Sequence, residues 1–471
     1  MELSDDLFDS TLRVVVMKLL LGAIFLILLA KVTTVMVFSG EYFRELSLGN
    51  RTKEEKIVAN RGVIYDRSGK VLAQNLPQFI LGEKIISQEE ASLGKEVKVE
   101  SRRSYPLGKI FAHVVGYVNL SEGRGMTGLE KEFDEQLKGK DGKELWETDA
   151  NGKKLRLLGK QLPVAGENLT TALEANLQET LFNSLNSLNS SRGLAGAAVA
   201  TNPQTGEVLA LVSTPSFDPH NVEMSLDHPG KPFFNRAVAA TYPPGSTFKI
   251  VTAAAGLENG VITRATKFED TGVLVIGPYK FANWKYLRNG GVDGWINVVE
   301  ALQKSNDVFF YQLGGKLGVE KLTEMAKKFG LGEPGIIRRE REWFLGDTYH
   351  MAIGQGDLLV TPMQVNNWTR AIANGGKDLN LKKETVEIVK EGMKAACSEG
   401  GTAYPLFGMN VACKTGTAEF GDPRNRTHAW LTAFAPVDNP IIAITVLVEG
   451  GGEGSDVAAP IVKKALEEWF R

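Results

Sequence analysis

Hydrophobic and polar positions divide the 471-residue chain into stretches of different period. Residues 14 to 38, VVVMKLLLGAIFLILLAKVTTVMVF, are apolar for about the length of a bilayer-spanning helix, broken by Lys18 and Lys31 near the ends, where long side chains reach headgroups. The run lacks a small-x-small cleavage pattern and follows Glu2, Asp5, Asp6 and Asp9, so it predicts an uncleaved anchor rather than a signal peptide. Arg13 before the span and Arg44, Arg51 and Lys53 after it leave its orientation open on charge. Beyond the anchor, IVANRGVIYDRSGKVLAQN (57–75) alternates around the turn signal Asp66–Gly69 and predicts a two-stranded ribbon. Residues 105–165 are rich in Gly and Lys, and GKDGKELWETDANGKKL predicts short strands between turns. Together, residues 39–165 read as an extended mixed module, a spacer or docking platform.

The pattern becomes denser from residue 166. LEANLQETLFNSLNSL has helical spacing, and AGAAVATNPQTGEVLALVS predicts two strands around an Asn202–Gly206 turn. Near the other end, VACKTGTAE (411–419) and AWLTAFAPVDNPIIAITVLVEG predict three more strands, followed by a closing helix capped by Ser455. A helix-strand-strand block and a strand-strand-strand-helix block are joined most simply in one antiparallel sheet, with the long helical middle inserted. The fold class is therefore α+β.

Composition narrows the chemistry. A formal net charge of -2 gives no basic field for nucleic acid, and 43% hydrophobic content supports a large core. The two cysteines, Cys397 and Cys413, exclude a disulfide-built scaffold and lack zinc-site spacing. Cys413 reads as a small buried filler; two unpaired thiols are expected, with one bridge as the alternative.

Candidate chemistry begins at TYPPGSTFKIVTAAAGLENG (241–260). Pro243, Pro244 and Gly245 interrupt whatever precedes them, so a new helix is predicted to start at Ser246 and to stop at Asn259-Gly260. Ser246 and Lys249 then lie one turn apart on one face. A serine hydroxyl needs a nearby base to become a nucleophile, and a lysine serves only when burial or a second cation keeps it neutral. A bare Ser-x-x-Lys pattern is weak, since about two are expected by chance in a chain of this length, and Ser92–Lys95 is such a decoy. Further motifs change the weight: KSNDVFFYQLG supplies Ser305 and Asp307, and CKTGTAE supplies Lys414, Thr415, Gly416 and Thr417. His428 and Trp430 fit ordinary packing as well as substrate contact, and GGGEGS (450–455) reads as a loop rather than a phosphate cradle.

The order STFK, SND, KTGT resembles the penicillin-binding proteins and serine β-lactamases. RGVIYDRSGKVLA, FAHVVGYV, GMTGLEKEFD, GQGDLLVTPMQV, AIANGG and HAWLTAFAP extend the likeness to the class B penicillin-binding proteins over nearly the whole chain past the anchor. Asp307 in place of Asn, with the C-terminal tail, is most similar to the elongation-type branch. The resemblance implies a tail (1–13), an anchor (14–38), a pedestal or dimerisation-like module (39–165) and a transpeptidase domain (166–471) with a penicillin-binding fold.

It also implies roles for the matched residues. Ser246 would attack the penultimate D-Ala carbonyl of a peptidoglycan stem peptide, with Lys249 as base. Ser305 would relay a proton, and Lys414 would hold the substrate carboxylate and keep Lys249 neutral. Asp307, Thr415, Gly416 and Thr417 would bind substrate, Gly416 by letting an extended peptide approach, and the backbone N–H groups of Ser246 and Thr417 would form the oxyanion hole. No metal, nucleotide or other cofactor is implied. Implied partners are stem peptides ending in D-Ala-D-Ala, β-lactams, the membrane and a RodA-type glycosyltransferase of the SEDS family; the catalytic part would face outside the cytoplasmic membrane. Two competing readings are a carboxypeptidase or class D-like β-lactamase, marked by rapid turnover of a penicillin adduct, and a non-catalytic sensor or scaffold, which would keep its cell function without Ser246.

Overall fold

The apolar N-terminal run forms the helix Asp5–Thr33, continued by a π-helical turn Thr34–Phe38 and, after Ser39, by the helix Gly40–Arg51. The computed structural model describes residues 5–471 apart from 83, 93–96, 120, 150 and 332–343, so Lys95 of the chance Ser-x-x-Lys pattern lies outside the described residues. Thr11–Phe38 is strongly apolar, and every one of its residues is exposed rather than buried against protein. Its 28 residues rise about 42 Å at 1.5 Å per residue, enough for a hydrocarbon core about 30 Å thick.

Internal contacts divide the chain into two units, one holding the residues up to Asn60 with Gly139–Gly166, the other Arg61–Lys138 with Glu167–Arg471. In the first, strand Gly142–Thr148 pairs antiparallel with Thr52–Ile57 on one side and Lys154–Gln161 on the other. The turn between the later two strands is closed by Asp149, whose carboxylate accepts from the backbone N–H groups of Asn151 and Lys153.

The second unit opens with the expected ribbon, Ile64–Tyr65 against Val71–Leu81. Asp66 Oδ1 accepts from Ser68 N, Ser68 Oγ and Lys70 N, and Gly69 takes φ +90°, which glycine adopts without steric cost. Behind the ribbon lies a buried ion cluster. Glu130, with no exposed surface, accepts from Arg61 Nε at 2.5 Å and Arg103 Nε at 2.7 Å, while Arg61 Nη2 reaches Asp134 at 2.7 Å.

The rest of this unit is built on a five-stranded antiparallel sheet: β1 (Gly196–Thr201), β2 (Val208–Thr214), β3 (Ala412–Glu419), β4 (Thr427–Ala435) and β5 (Ile442–Val448), in the order β2-β1-β5-β4-β3. The two sequence blocks therefore share one sheet, with β3 at an edge. Its strands are buried on both faces, which is why they read as nearly continuous apolar runs. Alternate residues sort cleanly by face. Ala412, Trp430, Phe434, Ala443 and Leu447 join one core, whereas Cys413, Leu431, Ala433, Ile444 and Val446 join the other. The second core is covered by α1 (Ala175–Arg192) and α6 (Gly454–Trp469). Ser455 does not cap α6 as expected. Glu453 is the capping position, Ser455 lies inside the first turn, and its Oγ donates to Asp456.

The first core is covered by the helical insert, which includes α2 (Lys249–Glu258), α3 (Asp307–Lys328), α4 (Pro362–Ala373) and α5 (Lys383–Ala396). A buried polar network fixes α4 over the sheet. Asn366 Nδ2 donates to Val199 O, Ala443 O and Thr445 Oγ1, its Oδ1 accepts from Thr201, and Thr369, Thr432 and Thr445 share hydroxyl hydrogen bonds. With every member satisfied, such a network fixes one arrangement of the core. The expected unpaired thiols are not found: Cys397, just past α5, is bonded to Cys413 of β3 across a Cα–Cα distance of 5.9 Å. A helix end and a strand that sequence spacing alone does not bring together meet because α5 packs against β3.

Candidate active site

The predicted start of the nucleophile helix is altered in detail. Gly245–Phe248 form a 3-10 turn and the α-helix begins at Lys249, because Gly245 sits at φ +54° and donates its N–H to Gly354 O at 2.9 Å. Ser246 remains one turn before Lys249 and lines an open cleft of about 2600 Å³, together with Ser305, Asp307, Thr415 and Thr417. Its Oγ makes no hydrogen bond to another group among the described residues.

Lys249 and Lys414 do not line this cleft; both are fully buried. Ser305 joins them. Lys414 Nζ donates to Ser305 Oγ at 2.7 Å and to Thr415 O at 3.0 Å. Lys249 Nζ donates to Ser305 O at 2.7 Å, to Asp307 Oδ1 at 2.6 Å and, more weakly, to Ser305 Oγ at 3.4 Å. The serine is held here by a left-handed backbone, φ +54°, unusual for a residue with a side chain. Its surroundings enforce that geometry. Asn306 caps α3 by accepting from Phe309 N, and its Nδ2 donates to the buried Asp270 and to Asp293; Asp270 also accepts from Asn283 and Gly272.

Two buried amines cannot both carry charge cheaply. Burial pushes the Lys249 amine below its ordinary value, and the Asp307 carboxylate partly restores it. Burial pushes Lys414 well below its ordinary value, and the Lys249 charge pushes it further. Asp307 lies at contact distance from Lys249, whereas Lys414 is met only by Ser305 Oγ and the Thr415 carbonyl among the described residues.

Asp307 therefore does more than face the cleft. Its Oδ1 pairs with Lys249 and its Oδ2 accepts from Trp284 N at 3.0 Å. Thr415 shares a 2.7 Å hydroxyl hydrogen bond with Thr402, and Thr417 donates to Glu453 at 2.7 Å. Gly416 is not among the residues that line the cleft. A Cβ there would lie 2.9 Å from Thr247 Cγ2 and 3.0 Å from Trp430 Cβ, so the missing side chain lets β3 approach the Ser246 turn. Sequence reasoning passed over Asp270, Asn283, Thr402 and Glu453, which carry no motif of their own and act by supporting Ser305, Thr415 and Thr417. Among the described residues no cluster of side chains suits a metal ion.

The family profile described as penicillin binding protein transpeptidase domain matches residues 196–467, and that for the penicillin-binding protein dimerisation domain matches 82–171. The chain is 28% identical to the peptidoglycan D,D-transpeptidase MrdA of Haemophilus influenzae, over 94% of this chain and 89% of that one. Among solved structures it resembles the penicillin-binding protein PBP2 of Helicobacter pylori in complex with MreC, with a TM-score of 0.74 and 27% identity over 89% of this chain and 99% of the other. It also resembles a chain of a peptidoglycan synthase complex that coordinates polymerisation and crosslinking, with a TM-score of 0.75 and 28% identity over 97% of this chain and 98% of the other.

Proposed function

The chain belongs to the penicillin-binding transpeptidase family and is a peptidoglycan D,D-transpeptidase; on that footing we propose that Ser246 is its nucleophile and that Ser305 couples two buried lysines to the reaction. The observation that carries this reading is the position of Ser305 Oγ, within 2.7 Å of Lys414 Nζ and 3.4 Å of Lys249 Nζ, on the wall of the cleft that Ser246 also lines.

The carboxylate beside Lys249, with none beside Lys414 among the described residues, supports substrate-dependent activation. A stem-peptide carboxylate arriving at Ser305, Thr415 and Thr417 favours a charged Lys414, whose amine is otherwise suppressed. The proton passes from Lys249 through the Ser305 hydroxyl to Lys414, leaving Lys249 neutral. Lys249 then takes the Ser246 hydroxyl proton as the oxygen attacks the penultimate D-Ala carbonyl. The backbone N–H groups of Ser246 and Thr417 stabilise the oxyanion. On collapse the carbon–nitrogen bond breaks, the departing D-Ala amine receives a proton by way of Ser305, and the acyl group remains on Ser246. The amine of a second stem peptide then attacks this ester, returning the proton to Ser246 and completing the cross-link.

In this reading the enzyme is anchored by a single pass in the cytoplasmic membrane, with its catalytic part outside. The Cys397–Cys413 bond supports that side, because disulfides persist in oxidising compartments. A polymerising glycosyltransferase of the SEDS family is the partner that the family resemblance implies, and the solved complex of PBP2 with MreC supports an MreC-type protein as another. β-Lactams acylate Ser246 as strained mimics of D-Ala-D-Ala.

The test is intact mass after exposure to a penicillin, with the modified peptide mapped. The expected result is one adduct on Ser246 that disappears in Ser246→Ala. An adduct elsewhere, or undiminished labelling of the variant, overturns the assignment.

A further inference from the structure

Past Thr417 the cleft is lined by His428, a residue with no part in the chemistry above. It lies on β4 opposite Ala418, two residues before Trp430 and therefore on the same face of the sheet. The ring is held from both sides. It stacks on Phe420 with centroids 4.0 Å apart and 12° between the planes, and Tyr242 meets it edge-on at 5.3 Å. Tyr242 is fixed in turn: its hydroxyl donates to Glu449 at 2.6 Å, and Arg236 Nε donates to the same oxygen at 2.8 Å.

His428 Nδ1 accepts a hydrogen bond from Gly450 N at 3.1 Å, so this nitrogen carries no proton and the neutral ring has its hydrogen on Nε2. Burial pushes the ring pKa down to about 4, so the neutral form persists around neutral pH. Among the described residues Nε2 has no protein partner, yet it is not sealed from solvent. A donor of fixed tautomer and fixed orientation is left facing the cleft. Glu419, Glu453 and Asp456 line the same region, which disfavours a carboxylate there and favours an uncharged acceptor.

We propose that His428 is a substrate-binding residue whose Nε2–H donates to a peptide carbonyl oxygen of the stem peptide. The proposal rests on the transpeptidase site assigned above. Such a contact selects for a peptide that extends past the reacting D-Ala-D-Ala, which a small penicillin lacks.

Two substitutions separate this role from a structural one. Glutamine places an amide N–H near the Nε2 position but gives up the Nδ1 acceptor, whereas asparagine keeps an acceptor near Nδ1 for Gly450 and loses the reach into the cleft. The full chain in detergent is assayed for D-Ala release from a synthetic stem pentapeptide, with thermal unfolding to verify that each variant is folded. His428→Gln is expected to stay near the wild-type KM and His428→Asn to raise it about tenfold with kcat little changed, as for loss of uniform binding. Equal effects of the two substitutions, including no effect, or an Asn variant better than the Gln variant, overturn the proposal. Penicillin labelling of Ser246 persists in both variants; its loss in a folded variant would show that His428 acts in acylation itself and overturn the proposal, whereas failure of the nucleophile assignment shows only in the adduct mapping and in Ser246→Ala.

Discussion

Ser305 accepts a hydrogen bond from Lys414 Nζ at 2.7 Å while its own backbone stands at φ +54°. The strained conformation places one hydroxyl between two amines, a position that a relaxed backbone would not give it. Ser305→Ala removes the hydroxyl and keeps the strain; Ser305→Gly removes both. Acylation by a fluorescent penicillin should slow by about 10²–10⁴-fold in each, the range for lost proton-transfer assistance. The Gly variant should unfold at a higher temperature than the Ala variant, by an amount corresponding to about 1 kcal/mol. Unchanged acylation, or an Ala variant as stable as the Gly variant, contradicts this account.

The ion pair between Asp307 and Lys249 makes a pH prediction with a definite sign. Acylation needs neutral Lys249, so the rate rises with pH through the amine pKa, which burial lowers and Asp307 partly raises. Asp307→Asn removes the raising influence, and the acid limb of the rate profile should move to lower pH. A shift to higher pH, in a variant shown to be folded, would falsify the proton assignment.

Stability has its own pH dependence. Both lysines have folded-state pKa values below the unfolded ones, so the unfolded chain binds more protons between those limits and stability rises with pH through that window. Lys414→Met should flatten the rise, as measured by denaturant unfolding at several pH values. A rise as steep as in the wild type would show that Lys414 is charged in the folded state.

How much of this was legible in the sequence depends on distance along the chain. Strands β1, β2, β4 and β5 and the helix α2 announce themselves by local period, and Ser246, Ser305 and Lys414 by their motifs. What the motifs do not encode is the pairing of groups far apart: Asp307 with Lys249, Thr402 with Thr415, Tyr242 with Glu449, Cys397 with Cys413. Each depends on how the insert packs on the sheet. The Ser455 cap failed for a smaller reason, since α6 starts two residues earlier and leaves that side chain inside its first turn.

The Cys397–Cys413 bond closes the segment that carries Gly400, Gly401, Thr402 and Tyr404, all of which line the cleft. Cys397→Ser should lower stability by about 2–4 kcal/mol, the usual contribution of such a closure. Reductant should destabilise the wild type by a similar amount under unfolding conditions and leave the variant unchanged. Thiol labelling of the unfolded, unreduced protein should find no free cysteine, and two labelled thiols would refute the bridge.

Removing Glu130 tests the buried ion cluster. Glu130→Ala leaves Arg61 and Arg103 without their shared carboxylate, and breaking a buried pair in this way costs about 3–5 kcal/mol. A large fall in thermal midpoint is expected, and a change of less than a degree would show that water compensates the two guanidinium groups.

The crowding of glycines around the nucleophile turn limits how drug tolerance could evolve. A methyl group on Gly354 would sit 2.1 Å from Gly245 O, one on Gly245 2.9 Å from Thr417 O, and one on Gly416 2.9 Å from Thr247. Lineages under β-lactam selection would pay for changes here with misfolded enzyme before gaining any discrimination against the inhibitor. Heritable escape is therefore channelled toward exposed positions of the cleft wall such as Tyr404, where a side chain can vary without displacing the backbone that carries Ser246.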